Sequence, residues 1–187
     1  MSSLVDTLPG VITALQRGGV IAYPTEAVWG LGCDPANETA VRRLLALKQR
    51  DIAKGLILVA ADVSQVEHLL AGLTADQRQR VLASWPGPHT WVVPVPDDFP
   101  YWVRGEHPSV ALRVSAHAGV QALCRAFGRP LVSTSANRSG LPPALSEAEV
   151  RMQLGAALDA IWPGPLGGDG KPTEIRDALS GAILRAR

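Results

Sequence analysis

Apolar residues along the chain first follow a helical period and then form short continuous runs. The apolar side chains of residues 4–15 recur at helical spacing, and a Gly-Gly pair ends the predicted helix. Residues 20–23 and 56–60 are short apolar runs, and the second is typical of a strand buried on both faces. Between these runs, the apolar spacing predicts a helix that begins after Asn37 and ends near Lys48.

The rest of the chain continues this alternation with more interruptions. The pattern predicts helices over 62–70, 74–85, 117–127 and from Ser146, strands over 90–95, 110–114, 130–133 and 159–162, and a closing hairpin of 174–177 with 182–185. Residues 97–109 are predicted to be irregular. The Gly- and Pro-rich residues 163–172 predict a mobile loop, which composition alone makes a candidate lid. We therefore expect residues 1–187 to form a single α/β domain with a twisted, open mixed sheet and flanking helices.

The composition excludes several classes of protein. Apolar residues make up 47% of the chain and charged residues 19%, which predicts a sizeable core and argues against disorder. The formal net charge is only +1, so the chain lacks the basic excess of a dedicated nucleic-acid binder, and any RNA contact would be local or weak. Cys33 and Cys124 have no metal-ligand spacing, and no segment has the character of a signal peptide or a membrane span. We therefore expect a reduced, cytoplasmic protein.

Two polar segments carry the candidate chemistry. Lys48 and Arg50 stand where a helix is predicted to end, and Lys54 follows. Such cations either offset the helix dipole in solvent or meet a bound anion. Residues 133–137 (STSAN) place hydroxyls, an amide and backbone N–H groups directly after a strand. They form either an ordinary polar turn or a phosphate-binding nest. Together the segments have the chemistry of a polyphosphate site.

Other patterns leave alternatives open or exclude a mechanism. Arg113 lies within an aliphatic strand and is either solvated or directed at an anion, and the hydroxyl of Thr25 either closes a turn or contacts a ligand. Residues 164–171 resemble a P-loop but fail the pattern, because Pro165 takes the place of a required glycine. The chain has neither a dinucleotide fingerprint nor a serine-hydrolase elbow, and its histidines form no metal motif.

An ordered set of short motifs resembles the YrdC-type L-threonylcarbamoyladenylate synthases. The matching segments are residues 24–32 (PTEAVWGLG), 48–50 (KQR), 86–90 (PGPHT), 112–114 (LRV), 134–140 (TSANRSG), 173–177 (TEIRD) and 183–185 (ILR). The order and the extent of the matches make the set specific, although each motif alone is weak. The resemblance is to the short bacterial form of the family, and it implies a twisted α/β sheet around a large, concave, positively charged cleft.

The resemblance also implies an activity. Such enzymes combine L-threonine, bicarbonate or carbon dioxide, and ATP into threonylcarbamoyl-AMP and pyrophosphate. Downstream transferase proteins then attach the threonylcarbamoyl group to the adenosine next to the anticodon of tRNA. ATP would be a substrate that carries its own Mg²⁺, and no protein-held metal is expected. We also expect a weak contact with tRNA or double-stranded RNA and no contact with membranes.

The resemblance assigns site residues by their position in the motifs. The catalytic set that matches the family's KxR…SxN pattern consists of Lys48, Arg50, Ser135 and Asn137. Further ATP contacts are expected from Lys54, Thr90 and Arg185, in addition to the catalytic set. The threonine pocket is expected from Thr25, Arg113, Ser133 and Thr173, with Arg113 as a candidate for holding the amino-acid carboxylate.

Some residues depart from the family pattern, and two other functions compete. Ala27 stands where many members have threonine, Asp51 where proline is usual, Lys54 where many have asparagine, and Val59 where some have histidine. These departures leave the KxR…SxN set intact, but we expect Asp51 to loosen the loop that carries Arg50. The main alternative is a non-enzymatic RNA-binding module that acts on tRNA or ribosomal RNA precursors. A second is a related carbamoyl-adenylate domain, as in hydrogenase maturation proteins.

Overall fold

Nine strands form one open mixed sheet within residues 6–168 and 173–186, the part of the chain that this computed structural model describes. The strands are β1 Ile21–Pro24, β2 Trp29–Gly32, β3 Ile57–Ala60, β4 His89–Pro94, β5 Ser109–Val114, β6 Leu131–Ser135, β7 Ala160–Ile161, β8 Glu174–Asp177 and β9 Ile183–Arg185. Their order in the sheet is β7-β1-β2-β6-β3-β5-β4-β8-β9. The pairs β7/β1, β3/β5 and β4/β8 are parallel and the others antiparallel, which confirms the predicted mixed sheet.

Helices cover both faces of this sheet. They are α1 Leu8–Gln16, α2 Glu38–Lys48, α3 Ala75–Leu82, α4 Tyr101–Arg104, α5 Ala118–Phe127 and α6 Glu147–Leu154. Helices α1 and α5 contact each other and enclose a core layer that includes Tyr23, Val59 and Leu131. A larger core layer on the other face includes residues of α2, α3 and α6. None of the helices in the described ranges has the length and apolar character that crossing a membrane requires.

Helix α2 has the bounds that the sequence predicts, and its ends explain how it presents its cations. The side chain of Asn37 accepts a hydrogen bond from Ala40 N at 3.0 Å, which caps the helix. Gln49 adopts a left-handed conformation (φ 49°) and ends it. The chain then turns into a short 3₁₀ helix, Ile52–Lys54, whose first N–H groups are capped by Asp51 through a hydrogen bond from Ala53 N. Asp51 therefore has a defined contact in the loop that we expected it to loosen.

Three segments differ from the prediction. Residues 62–70 form two 3₁₀ helices, Val63–Gln65 and Glu67–Leu70, instead of one α-helix, because the backbone of Val66 (φ −126°) breaks the path between them. The region predicted to be irregular contains α4. Strand β2, with the sequence WGLG, was not predicted, because its two glycines conceal the β pattern and only pairing with β1 and β6 reveals it.

The carboxy-terminal hairpin forms as predicted, and the segment before it lies against the β1–β2 turn. Strand β8 pairs with β4, and β9 is the outer strand of the sheet. Gly167 donates its N–H to the carbonyl oxygen of Thr25 at 3.0 Å. Of the predicted loop over 163–172, residues 169–172 lie outside the described residues, so its interpretation as a lid stays a prediction.

Candidate active site

A cavity of about 530 Å³ opens where the β1–β2 turn, the end of β6, the loop after α2 and the β8–β9 hairpin meet. That volume suits a small-molecule ligand. Its lining includes five basic side chains: Arg50, Lys54, Arg104, Arg113 and Arg185. Within the described part of the chain, no aspartate or glutamate lines it. Because the charged side chains that line it are all cations, the cavity favours a negatively charged ligand.

Lys48, Ser135 and Asn137 form one hydrogen-bonded cluster beside this cavity. The Lys48 ammonium has four acceptors within reach: the Ser135 carbonyl oxygen at 2.6 Å, Ser135 Oγ at 3.2 Å, the Asn137 carbonyl oxygen at 3.1 Å and Asn137 Oδ1 at 2.5 Å. Ser135 Oγ also donates to Asn137 Oδ1 at 2.7 Å. An ammonium group has three N–H bonds, so its donors are fully occupied here. The cluster fastens the end of α2 to the end of β6.

The surroundings of Lys48 change its acidity. The side chain is only 8% exposed, and burial, followed by the nearby charge of Arg50, lowers the pKa of the ammonium from 10.5 to about 8. Lys48 therefore titrates near the upper end of the neutral range.

Arg50 reaches the cavity wall on the other side of the α2 end. Its Nη2 atom donates to the carbonyl oxygen of Gly55 at 2.9 Å, which turns the guanidinium toward the cavity. Its Nε atom is buried and has no hydrogen-bond partner among the described residues. Burial also lowers the pKa of this guanidinium, although an arginine remains charged. The cation is therefore held in place with donor capacity to spare.

The hydroxyl residues predicted for the threonine pocket line the cavity but differ in their contacts. The hydroxyl of Thr25 donates to the carbonyl oxygen of Val28 at 2.7 Å, so it closes the β1–β2 turn. Ser133 and Thr173 are both buried and line the wall. Thr90 is fully buried behind Thr173, with 3.5 Å between the two hydroxyl oxygens.

Two arginines of the cavity wall, Arg113 and Arg185, lie near Thr173, one of the residues predicted for the threonine pocket. Arg113, on β5, is 6% exposed and forms an ion pair with Glu26, with 3.4 Å between Arg113 Nη1 and Glu26 Oε2. Arg185, on β9, donates from Nη2 to the carbonyl oxygen of Thr173 at 2.8 Å. Burial, and then the charge of Arg113, lower the pKa of Arg185, which indicates that the two guanidinium groups act on each other.

The structure brings most of the predicted site residues to this cavity. Those that line it are Thr25, Arg50, Lys54, Arg113, Ser133, Ser135, Thr173 and Arg185. Lys48, Thr90 and Asn137 support the wall from behind without lining it. Sequence reasoning missed Arg104 in the cavity wall and Glu26 beside it. Arg104 lies in a segment without periodicity, whereas Glu26 lies in a motif whose turn was noted but not assigned a partner.

No metal-binding group accompanies the cavity. Across residues 6–168 and 173–186, no three His, Cys, Asp or Glu side chains come together in a group that could hold a metal ion. The arrangement therefore provides cations, hydroxyls and an amide.

Comparison with known proteins identifies the family. The sequence model named Sua5_yciO_yrdC, described as "Telomere recombination", matches residues 13–186. This chain belongs to the Sua5/YciO/YrdC family. The resemblance to YrdC-type proteins inferred from the sequence motifs is thereby confirmed.

Relatives in this family share most of the sequence. Threonylcarbamoyl-AMP synthase of Chromohalobacter salexigens is 55% identical over 185 residues, which cover 99% of this chain and 100% of the relative. The protein of the same name from Stenotrophomonas maltophilia is 56% identical over 182 residues, or 96% of this chain and 98% of the relative.

Solved structures confirm the α/β fold. The crystal structure of P. abyssi Sua5 complexed with L-threonine superposes with a TM-score of 0.86 at 27% identity and covers 94% of this chain. This chain spans only 54% of that protein. The crystal structure of E. coli YciO matches with a TM-score of 0.80 at 24% identity, over 99% of this chain and 95% of the YciO chain. This match shows the shared fold alone.

Proposed function

We propose that this protein is an L-threonylcarbamoyl-AMP synthase, which joins L-threonine, bicarbonate or carbon dioxide, and ATP with release of pyrophosphate. The observation that carries the proposal is the cavity lined by five cations and no described carboxylate, at the meeting point of the KxR and SxN segments. Two relatives of matching length that bear this name, and a family structure with L-threonine, support it. These relatives favour the synthase over the RNA-binding alternative.

The reaction needs binding and charge stabilisation more than a protein nucleophile. The amine of threonine forms a bond to the carbon of carbon dioxide and loses a proton, which yields a carbamate. A carbamate oxygen then attacks the α-phosphorus of ATP, and the bond to the bridging oxygen breaks so that pyrophosphate leaves. Two anions must approach each other, and fixed cations and N–H donors lower that barrier.

At the ATP end, we assign the polyphosphate to the catalytic set. Arg50 lines the wall as a cation held through Nη2, and Lys54 is an exposed cation beside it. Ser135 lines the same wall, and Lys48 with Asn137 fixes its position. The oxygen atoms of this segment would face the Mg²⁺ ion that ATP carries. Thr90 and Arg185, the remaining expected ATP contacts, both lie beside Thr173: Thr90 is behind its hydroxyl, and Arg185 donates to its carbonyl oxygen.

At the threonine end, Arg113 would hold the amino-acid carboxylate. A guanidinium matches a carboxylate with two parallel hydrogen bonds, and the buried Nε atom of Arg113 has no partner among the described residues. Thr25, Ser133 and Thr173 would complete the pocket around the hydroxyl and methyl groups. Because the Thr25 hydroxyl already donates to Val28, it would act as an acceptor toward the ligand.

The product determines the partners that the protein would need. Threonylcarbamoyl-AMP is a mixed anhydride, which water hydrolyses, so a transferase must accept it promptly. We expect proteins that pass the threonylcarbamoyl group to the adenosine next to the tRNA anticodon, and therefore action in the cytoplasm. Any direct contact with tRNA or double-stranded RNA would be weak, given the net charge of +1.

Isotope incorporation tests the proposed reaction. Purified protein is incubated with Mg²⁺-ATP, L-threonine and labelled bicarbonate, and the products are identified by mass spectrometry. The proposal predicts threonylcarbamoyl-AMP labelled in its carbamoyl carbon, together with pyrophosphate. Formation of ADP and phosphate, or of an unlabelled adenylate, would contradict it. Arg42→Ala is the matched control for arginine variants of the site, because Arg42 is exposed on α2 and pairs with Glu38 on the same helix.

A further inference from the structure

Glu26 is a partly buried carboxylate beside the proposed threonine end of the cavity, and the proposed reaction does not use it. Its side chain is 14% exposed and lies in the turn between β1 and β2. Oε1 accepts hydrogen bonds from Ser115 Oγ at 2.7 Å and from Ala116 N at 3.2 Å. These two donors follow directly after β5. The carboxylate is therefore anchored by the two residues that directly follow β5, the strand that carries Arg113.

The second carboxylate oxygen faces Arg113. Glu26 Oε2 is 3.4 Å from Arg113 Nη1 and has no hydrogen-bond partner within the described ranges. Burial opposes ionisation of Glu26, but the charge of Arg113 and the Ser115 hydroxyl outweigh it and lower the pKa of the carboxyl. Both members of the pair are thus charged at neutral pH, and both are largely removed from water.

Arg113 needs such a counter-charge to remain at the cavity wall. Arg185 lies close enough for its charge to matter, and like charges repel most strongly where water is scarce. An arginine side chain is also long and flexible, so repulsion would turn it away unless another group held it.

We propose that Glu26 is a positioning residue, which holds the Arg113 guanidinium at the threonine end of the cavity and aims it at the amino-acid carboxylate. Glu26 does not line the cavity, so it acts through Arg113 and not on the ligand. The ATP end is held by the separate cluster of Lys48, Ser135 and Asn137, which has no hydrogen bond to Glu26. The effect of Glu26 is therefore selective for the amino acid. The identity of that amino acid rests on the proposed function.

Glu26→Gln tests this role because it keeps the shape of the side chain and removes the charge. The KM for L-threonine should rise about tenfold or more. This is the factor that a charge-assisted hydrogen bond from Arg113 to the amino-acid carboxylate would typically contribute. The KM for ATP should stay within about twofold, as for independent sites. Glu147→Gln is the matched control, because it removes a carboxylate paired with Arg151 on the exposed face of α6. An equal rise in both KM values, or no change, would overturn the proposal.

Two further variants keep the test decisive if Glu26→Gln does not fold. Ser115→Ala removes one anchor of the carboxylate and leaves both charges, so it should raise the threonine KM selectively but less. Glu26→Asp keeps the charge on a shorter stem and should recover part of the loss relative to Glu26→Gln. An effect of Ser115→Ala that fell equally on ATP and threonine would contradict the proposal.

A spectroscopic readout separates this proposal from the proposed function. The Nε–H signal of Arg113 in side-chain NMR spectra is assigned by its loss in an Arg113→Lys variant. In the wild type this signal should be separate from those of the exposed arginines. In Glu26→Gln it should shift toward the signals of the exposed arginines. An unchanged signal would overturn the positioning role even in an active enzyme. If the wild-type protein released no pyrophosphate with threonine, the proposed function would fail while this measurement would still decide the role of Glu26.

Discussion

The ammonium nitrogen of Lys48 lies 2.6 Å from the backbone carbonyl oxygen of Ser135. This contact joins the last residue of α2 to the last residue of β6, two elements that are far apart in the sequence. The N–H groups of the Lys48 ammonium are therefore hydrogen-bonded to the protein itself. Its neighbour Arg50 makes its hydrogen bonds to the described residues through Nη2 alone, and it lines the cavity. Within the KxR motif, we infer that Lys48 holds the site together and that Arg50 faces the ligand.

Replacing Lys48 should reduce both stability and activity. Lys48→Met keeps the length of the side chain but leaves the Ser135 and Asn137 acceptors without their donor, so we expect a loss of about 1–3 kcal/mol in unfolding free energy. Chemical denaturation measures the loss, and pyrophosphate release measures activity. A variant as stable as the wild type would contradict the structural role of Lys48.

The titration of Lys48 should have opposite effects on stability and on ATP affinity. Its pKa is about 8 in the folded protein and 10.5 for an ordinary lysine. Between these values the unfolded chain binds the extra proton, so the contribution of Lys48 to the unfolding free energy rises with pH. ATP affinity should fall over the same interval as the cation is lost. Calorimetric titration with ATP from neutral to alkaline pH measures the fall, and Lys48→Met should lack the step. Parallel pH profiles of the two proteins would contradict the assignment.

Removing the Arg50 side chain should abolish turnover while the fold survives. Arg50 is only half-buried, and among the described residues its one short hydrogen bond is to Gly55, so Arg50→Ala should cost little stability. We expect a loss of at least about a hundredfold in pyrophosphate release, as for other preorganised groups that stabilise transition-state charge. Arg42→Ala, at an exposed position on the preceding helix α2, should be active. Normal turnover of folded Arg50→Ala would refute the role assigned to Arg50.

The Ser135 hydroxyl should matter more for ATP than for threonine. It contacts Lys48 and Asn137 at the end assigned to the phosphates. Ser135→Ala should therefore raise the KM for ATP by about tenfold, and that for threonine less. Ser139→Ala, which removes an exposed hydroxyl from the same loop, is the control. If threonine binding suffered more than ATP binding, the assignment of the two ends would be reversed.

Local signals made much of the fold predictable from the sequence. Asn37 begins α2, and the Thr74–Gln77 capping box begins α3 with both of its hydrogen bonds formed. At α6, Ser146 Oγ accepts from Glu149 N and caps the helix, but Glu149 Oε2 accepts from Leu145 N and not from Ser146 N, so only half of a capping box forms among the described residues. Such caps depend on neighbours within a few residues, which the sequence displays directly.

The site was predictable as a set of residues but not as a set of contacts. The motifs identified the residues that meet at the cavity. The burial of Lys48 and the pairing of Glu26 with Arg113 depend on strand order, which brings segments together that lie nearly ninety residues apart. Strand β2, which the sequence pattern did not predict, joins β1 to β6. Without β2, the sequence could not show which site residues line the cavity and which lie behind its wall.

The most direct test of the central claim is pyrophosphate release from Mg²⁺-ATP by the purified protein. The comparison uses L-threonine with bicarbonate, L-serine with bicarbonate, carbamoyl phosphate, and no co-substrate. We predict release that requires threonine and bicarbonate together, with serine clearly weaker and carbamoyl phosphate inactive. Release driven by carbamoyl phosphate, or no release by folded protein under any of these conditions, would contradict the synthase.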